Sequence, residues 1–302
     1  MMTSMRTTLA PASLPGGPLR HEDGLVLLGS CFSDGVGNRL RHAGHSVCMN
    51  PFGTLYNPAS CSASIRRITN GDLMDATDLS WCKRQQHWFS FETSAVHAGE
   101  TPEACIASVN AALVDAQARL QTAACLFLTL GSAWAYVRRD TGAIVANCHR
   151  QPQRDFERRL LGVDEVLTHV CAAVDAARAL TPSIRVVLTV SPVRHLREGA
   201  VESSRSKAHL LAAVHAACEL ERGCSYVRDR HCMLLYARVG NTACSYKRVV
   251  DSARSLHARV RLHALTSAWR TVHALACARR TLHARSGARW AVGGRREATA
   301  AW

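Results

Sequence analysis

Leu25-Val26-Leu27-Leu28-Gly29-Ser30 is a run of four apolar residues closed by a glycine and a serine. Four consecutive apolar residues without alternation fit a strand buried on both faces, and a Gly-Ser pair at its end fits a tight turn. The pattern recurs twice. Ala124–Leu130 (ACLFLTL) ends in Gly131-Ser132, and Ile184–Val190 (IRVVLTV) ends in Ser191-Pro192. A shorter strand is expected near Ser46–Met49. Between these runs lie helical segments: Phe32–Ala43, residues 57–68, a helix from Pro102 to about Thr122 with Thr101 as its N-cap, Val163–Leu180 stopped by Thr181-Pro182, and Ser203–Leu220. In Val163–Leu180 the apolar positions 163, 166, 167, 170, 174 and 177 follow the i, i+3, i+4, i+7 spacing of one helix face. Pro51, Gly53, Asn57 and Pro58 mark a loop, and a polar loop region runs from there towards Glu100. Short apolar strands alternating with amphipathic helices predict an α/β fold, a parallel sheet covered by helices on both faces. Sites in such sheets lie beyond the carboxyl ends of the strands, where Ser30, Ser132 and Ser191 fall.

Composition narrows the function. The chain has 302 residues, 47% apolar and 20% charged, which is globular rather than disordered. No run approaches the roughly 18 apolar residues of a membrane-spanning helix, and Met1–Gly17 lacks the apolar core of an export signal. The expectation is a cytoplasmic protein without a membrane partner. The first twenty residues, rich in Thr, Ser, Pro and Gly, read as a loose leader. The 13 cysteines are scattered from Cys31 to Cys277 and never form C-x-x-C. That pattern argues against a paired zinc site or a disulfide framework, and for small buried hydrophobes. No metal and no cofactor is expected.

The formal charge of +14 is uneven. Residues 223–302 carry 15 Lys+Arg against 3 Asp+Glu, and the first 222 residues carry 22 against 20. After Val227 there is no Pro, Phe, Ile or Gln. The chain therefore divides into a leader (1–20), a near-neutral domain (21–222) and an irregular basic tail (223–302). Arginines near Trp269 and Trp290 suit phosphate contact and base stacking. The tail carries no nucleic-acid module, however, and its charge follows no single helix face, so nucleic acid is not the expected partner.

Five segments, in order, resemble the GSCFA family, which is related to the SGNH/GDSL ester hydrolases. They are Leu28-Gly29-Ser30-Cys31-Phe32-Ser33, with Ser33 in place of the family's usual Ala; Asn50-Pro51-Phe52-Gly53 with Leu55-Tyr56-Asn57-Pro58; Gly131-Ser132-Ala133-Trp134; Asn147-Cys148-His149-Arg150; and Ser191-Pro192-Val193-Arg194-His195, followed by Ser206-Lys207. The resemblance covers about residues 25–215. It implies a flavodoxin-like three-layer sandwich and a serine hydrolase-like site for a small-molecule or glycan ester. Ser30 would be the nucleophile, with Cys31 as a less favoured alternative. Backbone N–H groups near Ser30, Gly53, Gly131 and Ser132 would stabilise an oxyanion. The asparagine that SGNH enzymes carry in the third segment is not matched by Ala133-Trp134, and Asn147 is the candidate replacement. His149 and His195 are candidate bases. Arg194 is a candidate for an anionic substrate group or a surface pair with Glu198 or Glu202. Lys207 is equally open to either use, and His42 and His45 are read as solvated.

A serine nucleophile needs a base and the base an orienting acid. The superfamily's Asp-x-x-His-Pro segment, which follows a Tyr-Glu-containing strand, does not occur here. A tail read in a shifted frame accounts for both its absence and the change of composition. Codons exist for Val227–His231 that, moved by one base, read Tyr-Glu-Ile-Val-Ile. On that reading the tail lacks a packed fold. The alternative to an ester hydrolase is a non-catalytic binding protein that keeps the pocket.

Overall fold

A computed structural model describes residues 18–191, 193, 199–220, 225–228 and 233–237. The first element is strand β1 (Gly24–Gly29), followed by helix α1 (Cys31–His42) and strand β2 (Val47–Met49). Helix α2 (Pro58–Asn70) comes next, then a hairpin of β3 (Leu79–Cys82) and β4 (His87–Ser90), helix α3 (Pro102–Thr122) and β5 (Ala123–Leu130). A second small sheet follows, from β6 (Trp134–Arg138), β7 (Ile144–Val145) and β8 (Phe156–Leu160). The remaining elements are α4 (Val163–Leu180), β9 (Arg185–Val190), α5 (Gly199–Leu220), β10 (Ser225–Arg228) and β11 (Met233–Ala237).

The main sheet runs β10-β11-β9-β5-β1-β2. Its strands β2, β1, β5 and β9 are all parallel, the arrangement of a flavodoxin-like three-layer sandwich. Register aligns Leu27 with Phe127, and Phe127 with Val187. Side chains alternate across a strand. Leu25, Leu27, Val47, Cys125 and Val187 thus share one face, where Val36 and Leu40 of α1 pack against them. Val26, Leu28, Leu126, Leu128, Val186 and Leu188 alternate with these along β1, β5 and β9 and are equally buried. Burial on both faces is why these strands read as continuous apolar runs.

Helix ends follow local chemistry. The Asn57 side chain accepts the Ser60 N–H at 2.8 Å with Pro58 in the first turn, and Gly71 (φ 72°) ends α2 in the left-handed conformation. The helix is thereby two residues longer at its C-terminus than its sequence suggests. Thr101 caps α3 through the Ala104 N–H at 3.2 Å. Thr181 ends α4, and its hydroxyl donates to the Leu120 carbonyl at 2.8 Å, tying α4 to the end of α3.

Two features depart from the sequence expectation. The region read as a polar loop up to Glu100 contains the β3–β4 hairpin, with Trp81 opposite Trp88. The stretch assigned to the basic tail supplies β10 and β11, the latter antiparallel to β9 from Met233↔Val190 to Ala237↔Val186. The apolar sequence Met233-Leu234-Leu235-Tyr236 suits an added strand. Residues 1–17 of the leader and 223–224, 229–232 and 238–302 of the tail lie outside the described residues, and most of the stretch expected to lack a packed fold falls among them.

Candidate functional site

The site is built at the carboxyl ends of β1 and β5. Gly29 has φ 135°, and a Cβ there would collide with the Thr129 carbonyl oxygen of β5, so only glycine lets the two strands approach as they turn. Its N–H donates to Asn50 Oδ1 at 2.8 Å, and its carbonyl accepts from the Leu55 N–H at 2.8 Å. Asn50 itself has φ 40° and donates from Nδ2 to Asp34 Oδ1 at 2.7 Å. One asparagine thus bridges the end of β1 to the first turn of α1.

Ser30 is the N-cap of α1. Its hydroxyl accepts the Phe32 N–H at 3.4 Å and its carbonyl accepts the Ser33 N–H at 2.8 Å. The residue is buried, while neighbouring Cys31 is exposed. A Cβ placed on Gly131 would meet the Tyr56 ring at 2.9 Å and the Ser30 Cβ at 3.2 Å, so the turn after β5 lies directly against Ser30. The remaining cysteines behave differently from Cys31. Of the nine described, Cys48, Cys61, Cys82, Cys105, Cys125 and Cys218 are buried. Burial pushes the Cys48 thiol up to about 11 and those of Cys61 and Cys125 up to about 12, so all three stay protonated and inert.

The turn after β5 is tightly tied. The Gly131 and Ser132 N–H groups both donate to the Tyr56 carbonyl at 2.9 Å. From α5, Ser206 accepts the Ala133 N–H at 2.8 Å and lies 3.2 Å from the Ser132 hydroxyl, and Lys207 donates from Nζ to the Gly131 carbonyl. Gly53 closes a turn by donating to the Asn50 carbonyl at 2.7 Å, with φ 76° and no room for a side chain beside Ser94. Gly53, Gly131 and Ser132 therefore shape the site while their N–H groups serve the fold. That differs from the oxyanion role expected for them, because each amide has found an internal acceptor. The Cys31 N–H, in the first turn of α1, is a helix N-terminal donor with no intrahelical partner.

The Tyr56 ring packs beside Gly131 and Ser30. Partial burial is the main cause that raises its phenol above the ordinary tyrosine value, and proximity to Cys31 adds to it. Together with Thr54, Asn147 and Arg150 it lines a cleft of about 520 Å³. Asn147 turns its Oδ1 to the His149 N–H at 2.8 Å. His149 is buried, stacked on Phe89 at 4.2 Å, with Nε2 3.0 Å from the Thr93 carbonyl. Burial lowers its pKa, so the ring is neutral near pH 7. His149 is held by Thr93 and Phe89 rather than by Ser30, since its ring closes the aromatic cluster under β4. His195 and Arg194 lie outside the described residues. His42 is exposed and bonded to the Asn38 carbonyl, whereas His45 is half-buried and stacked on His21 at 4.7 Å.

Sequence reasoning singled out Ser30, Gly131 and Ser132, and the structure brings them together. It did not assign roles to Asn50, Thr54 or Tyr56, nor to Ser206 as a clamp. Most of these stood inside the family-like segments, and that position was the available signal. Among the described residues, no group of three or more His, Cys, Asp or Glu side chains is arranged to hold a metal ion, and no helix is long and apolar enough to cross a membrane.

No curated protein and no solved structure matches the chain. The pattern of the GSCFA family matches residues 24–227, from the first residue of β1 into β10. The match spans more than half of the chain and includes every element that builds the Ser30 site; the chain belongs to the GSCFA family.

Proposed function

We propose that the protein is an ester hydrolase of the cytoplasm, acting on a small-molecule or glycan ester with Ser30 as nucleophile. The observation that carries this reading is the position of Ser30. It caps α1 at the carboxyl end of a central parallel strand, with Gly131 packed against it. In the reaction the Ser30 hydroxyl attacks the ester carbonyl, and the oxyanion is held at the N-terminus of α1, where the Cys31 N–H and the helix dipole favour negative charge. The Ser30 proton passes to a base. His195, five residues past the end of β9, is the candidate for that role, because the His149 ring is engaged elsewhere. The intermediate collapses with cleavage of the ester C–O bond, and the alkoxide takes the proton held by the base and leaves as the alcohol. Water, deprotonated by the same base, then attacks the acyl-serine to release the carboxylic acid and return the proton to Ser30. A fluorophosphonate probe and a short p-nitrophenyl ester, each applied to the wild type and Ser30→Ala, test the reading. Labelling and turnover lost in Ser30→Ala support it. Equal background in both proteins refutes it.

A second reading, a binding protein that keeps the pocket without hydrolysis, is favoured by a specific observation. Ser30 is buried, and among the described residues no histidine is hydrogen-bonded to its hydroxyl. Failure of the labelling experiment would make this the working description.

A further inference from the structure

His149 and Arg150 are consecutive non-glycine residues in the left-handed region, with φ 47° and 56°. Two such residues in a row are unfavourable for L-amino acids and persist only where surrounding structure over-determines them. Here it does. The His149 N–H is held by Asn147 Oδ1, its Nε2 by the Thr93 carbonyl and its ring by Phe89, and the Gln151 N–H closes the turn on the Cys148 carbonyl at 2.9 Å. All of this clamps the backbone around an exposed Arg150 whose side chain makes no ion pair or hydrogen bond among the described residues. What the turn achieves is to place that guanidinium in the wall of the cleft that Tyr56 enters from the Ser30 side.

A second cleft of about 370 Å³ adjoins the first, sharing Gln151 and Phe156 as its wall. It is lined by Arg138, Arg139 and Arg154. Arg138 is neutralised by Asp140 and lies 4.5 Å over the Phe91 ring, and Arg154 is only 3.7 Å from the neighbouring Asp155 carboxylate. Arg139, like Arg150, has no carboxylate partner among the described residues. The two clefts together present more cations than they balance.

We propose that Arg150, supported by Arg139, is a specificity residue that binds an anionic group on the ligand, a phosphate, sulfate or carboxylate, while the ester end lies toward Ser30. The inference rests on the reading of this cleft as the substrate site. Guanidinium pairs with such anions through two parallel hydrogen bonds, a geometry that a lysine does not reproduce.

The test is isothermal titration of the full chain at low salt with phenyl phosphate, phenyl sulfate, phenylacetate and neutral phenylacetamide. At least one anion binds about tenfold or more tightly than phenylacetamide, as expected for a charge-assisted contact, and the ranking of the three names the group. Arg150→Asn, chosen because asparagine tolerates the left-handed conformation, loses that preference, and Arg150→Lys retains part of it. Arg139→Gln, outside the strained turn, weakens the same anion by a second route. Equal binding of all four probes, or an anion preference unchanged in both Arg150→Asn and Arg139→Gln, overturns the proposal. The outcome is separable from the hydrolase reading. Arg150-dependent anion binding with no probe labelling at Ser30 sinks hydrolysis and leaves the subsite, and labelling without anion preference does the reverse.

Discussion

Replacing Asn50 with alanine removes three things at once, and the structure assigns each a size. Asn50 is buried, and its Oδ1 is the acceptor for the Gly29 N–H at 2.8 Å. Stranding that buried donor costs about 1–3 kcal/mol. Loss of the partly buried bond from Nδ2 to Asp34 at 2.7 Å removes about 1 kcal/mol more. Alanine at φ 40° also suffers the steric cost of the left-handed conformation, about 1 kcal/mol, which asparagine tolerates better and glycine escapes. The expected loss for Asn50→Ala is about 3–5 kcal/mol. Asn50→Gly, which gives up the same two hydrogen bonds on an unstrained backbone, loses about 1 kcal/mol less. Urea unfolding followed by tryptophan fluorescence measures both differences. A loss below about 1 kcal/mol for Asn50→Ala would refute the claim that this side chain secures the Gly29–Ser30 turn. Equal losses for the alanine and glycine variants would show that the backbone conformation carries no cost.

Two further outcomes follow from burial. The lowered pKa of His149 means that the unfolded chain takes up a proton before the folded one, so stability is full above about pH 6.5 and falls as pH drops through and below that value. His97 and His169, also lowered by burial, act in the same direction, so His149→Gln shallows the acid limb of a urea-midpoint profile by up to about 1.4 kcal/mol per pH unit without abolishing it; an unchanged slope between pH 6.5 and 5 contradicts the assignment. Iodoacetamide under native conditions alkylates exposed Cys31 and spares Cys48, Cys61 and Cys125, which react only in denaturant; native modification of Cys61 or Cys125, read by peptide mass, would show that those thiols are reached without unfolding.

Much of the fold was legible because its signals are local. The β1, β5 and β9 runs are apolar on both faces, and Thr101-Pro102 announces a helix start regardless of what the helix packs against. The small sheet was not legible. Phe156–Leu160 reads Phe-Glu-Arg-Arg-Leu, whose buried and exposed positions alternate only because β6 lies beside it, and the β3–β4 hairpin has strands of four residues, Leu-Ser-Trp-Cys and His-Trp-Phe-Ser, too short to establish a period. The β10–β11 pair falls in a stretch where composition suggested a change of character, although Met233–Ala237 is apolar enough for a strand.

What the sequence determined by itself is the alternation of the main parallel strands with their helices, the Thr101 cap, and the placement of Ser30 at the end of β1, since each depends on residues within a turn of one another. What only the tertiary structure decided is how the site is held and what its groups are free to do. Asn50 reaches Gly29 across 21 residues, His149 reaches Thr93 across 56, and Lys207 reaches Gly131 across 76. Together with the Gly131 and Ser132 amides given to the Tyr56 carbonyl across 75 and 76 residues, those bonds commit the polar groups around the turn after β5 and the Nε2 of His149, while Cys31 and Arg150 stay exposed. The choice between a committed and an available hydrogen-bonding group depends on which buried partner the folded chain brings within reach, a long-range fact that no local pattern encodes.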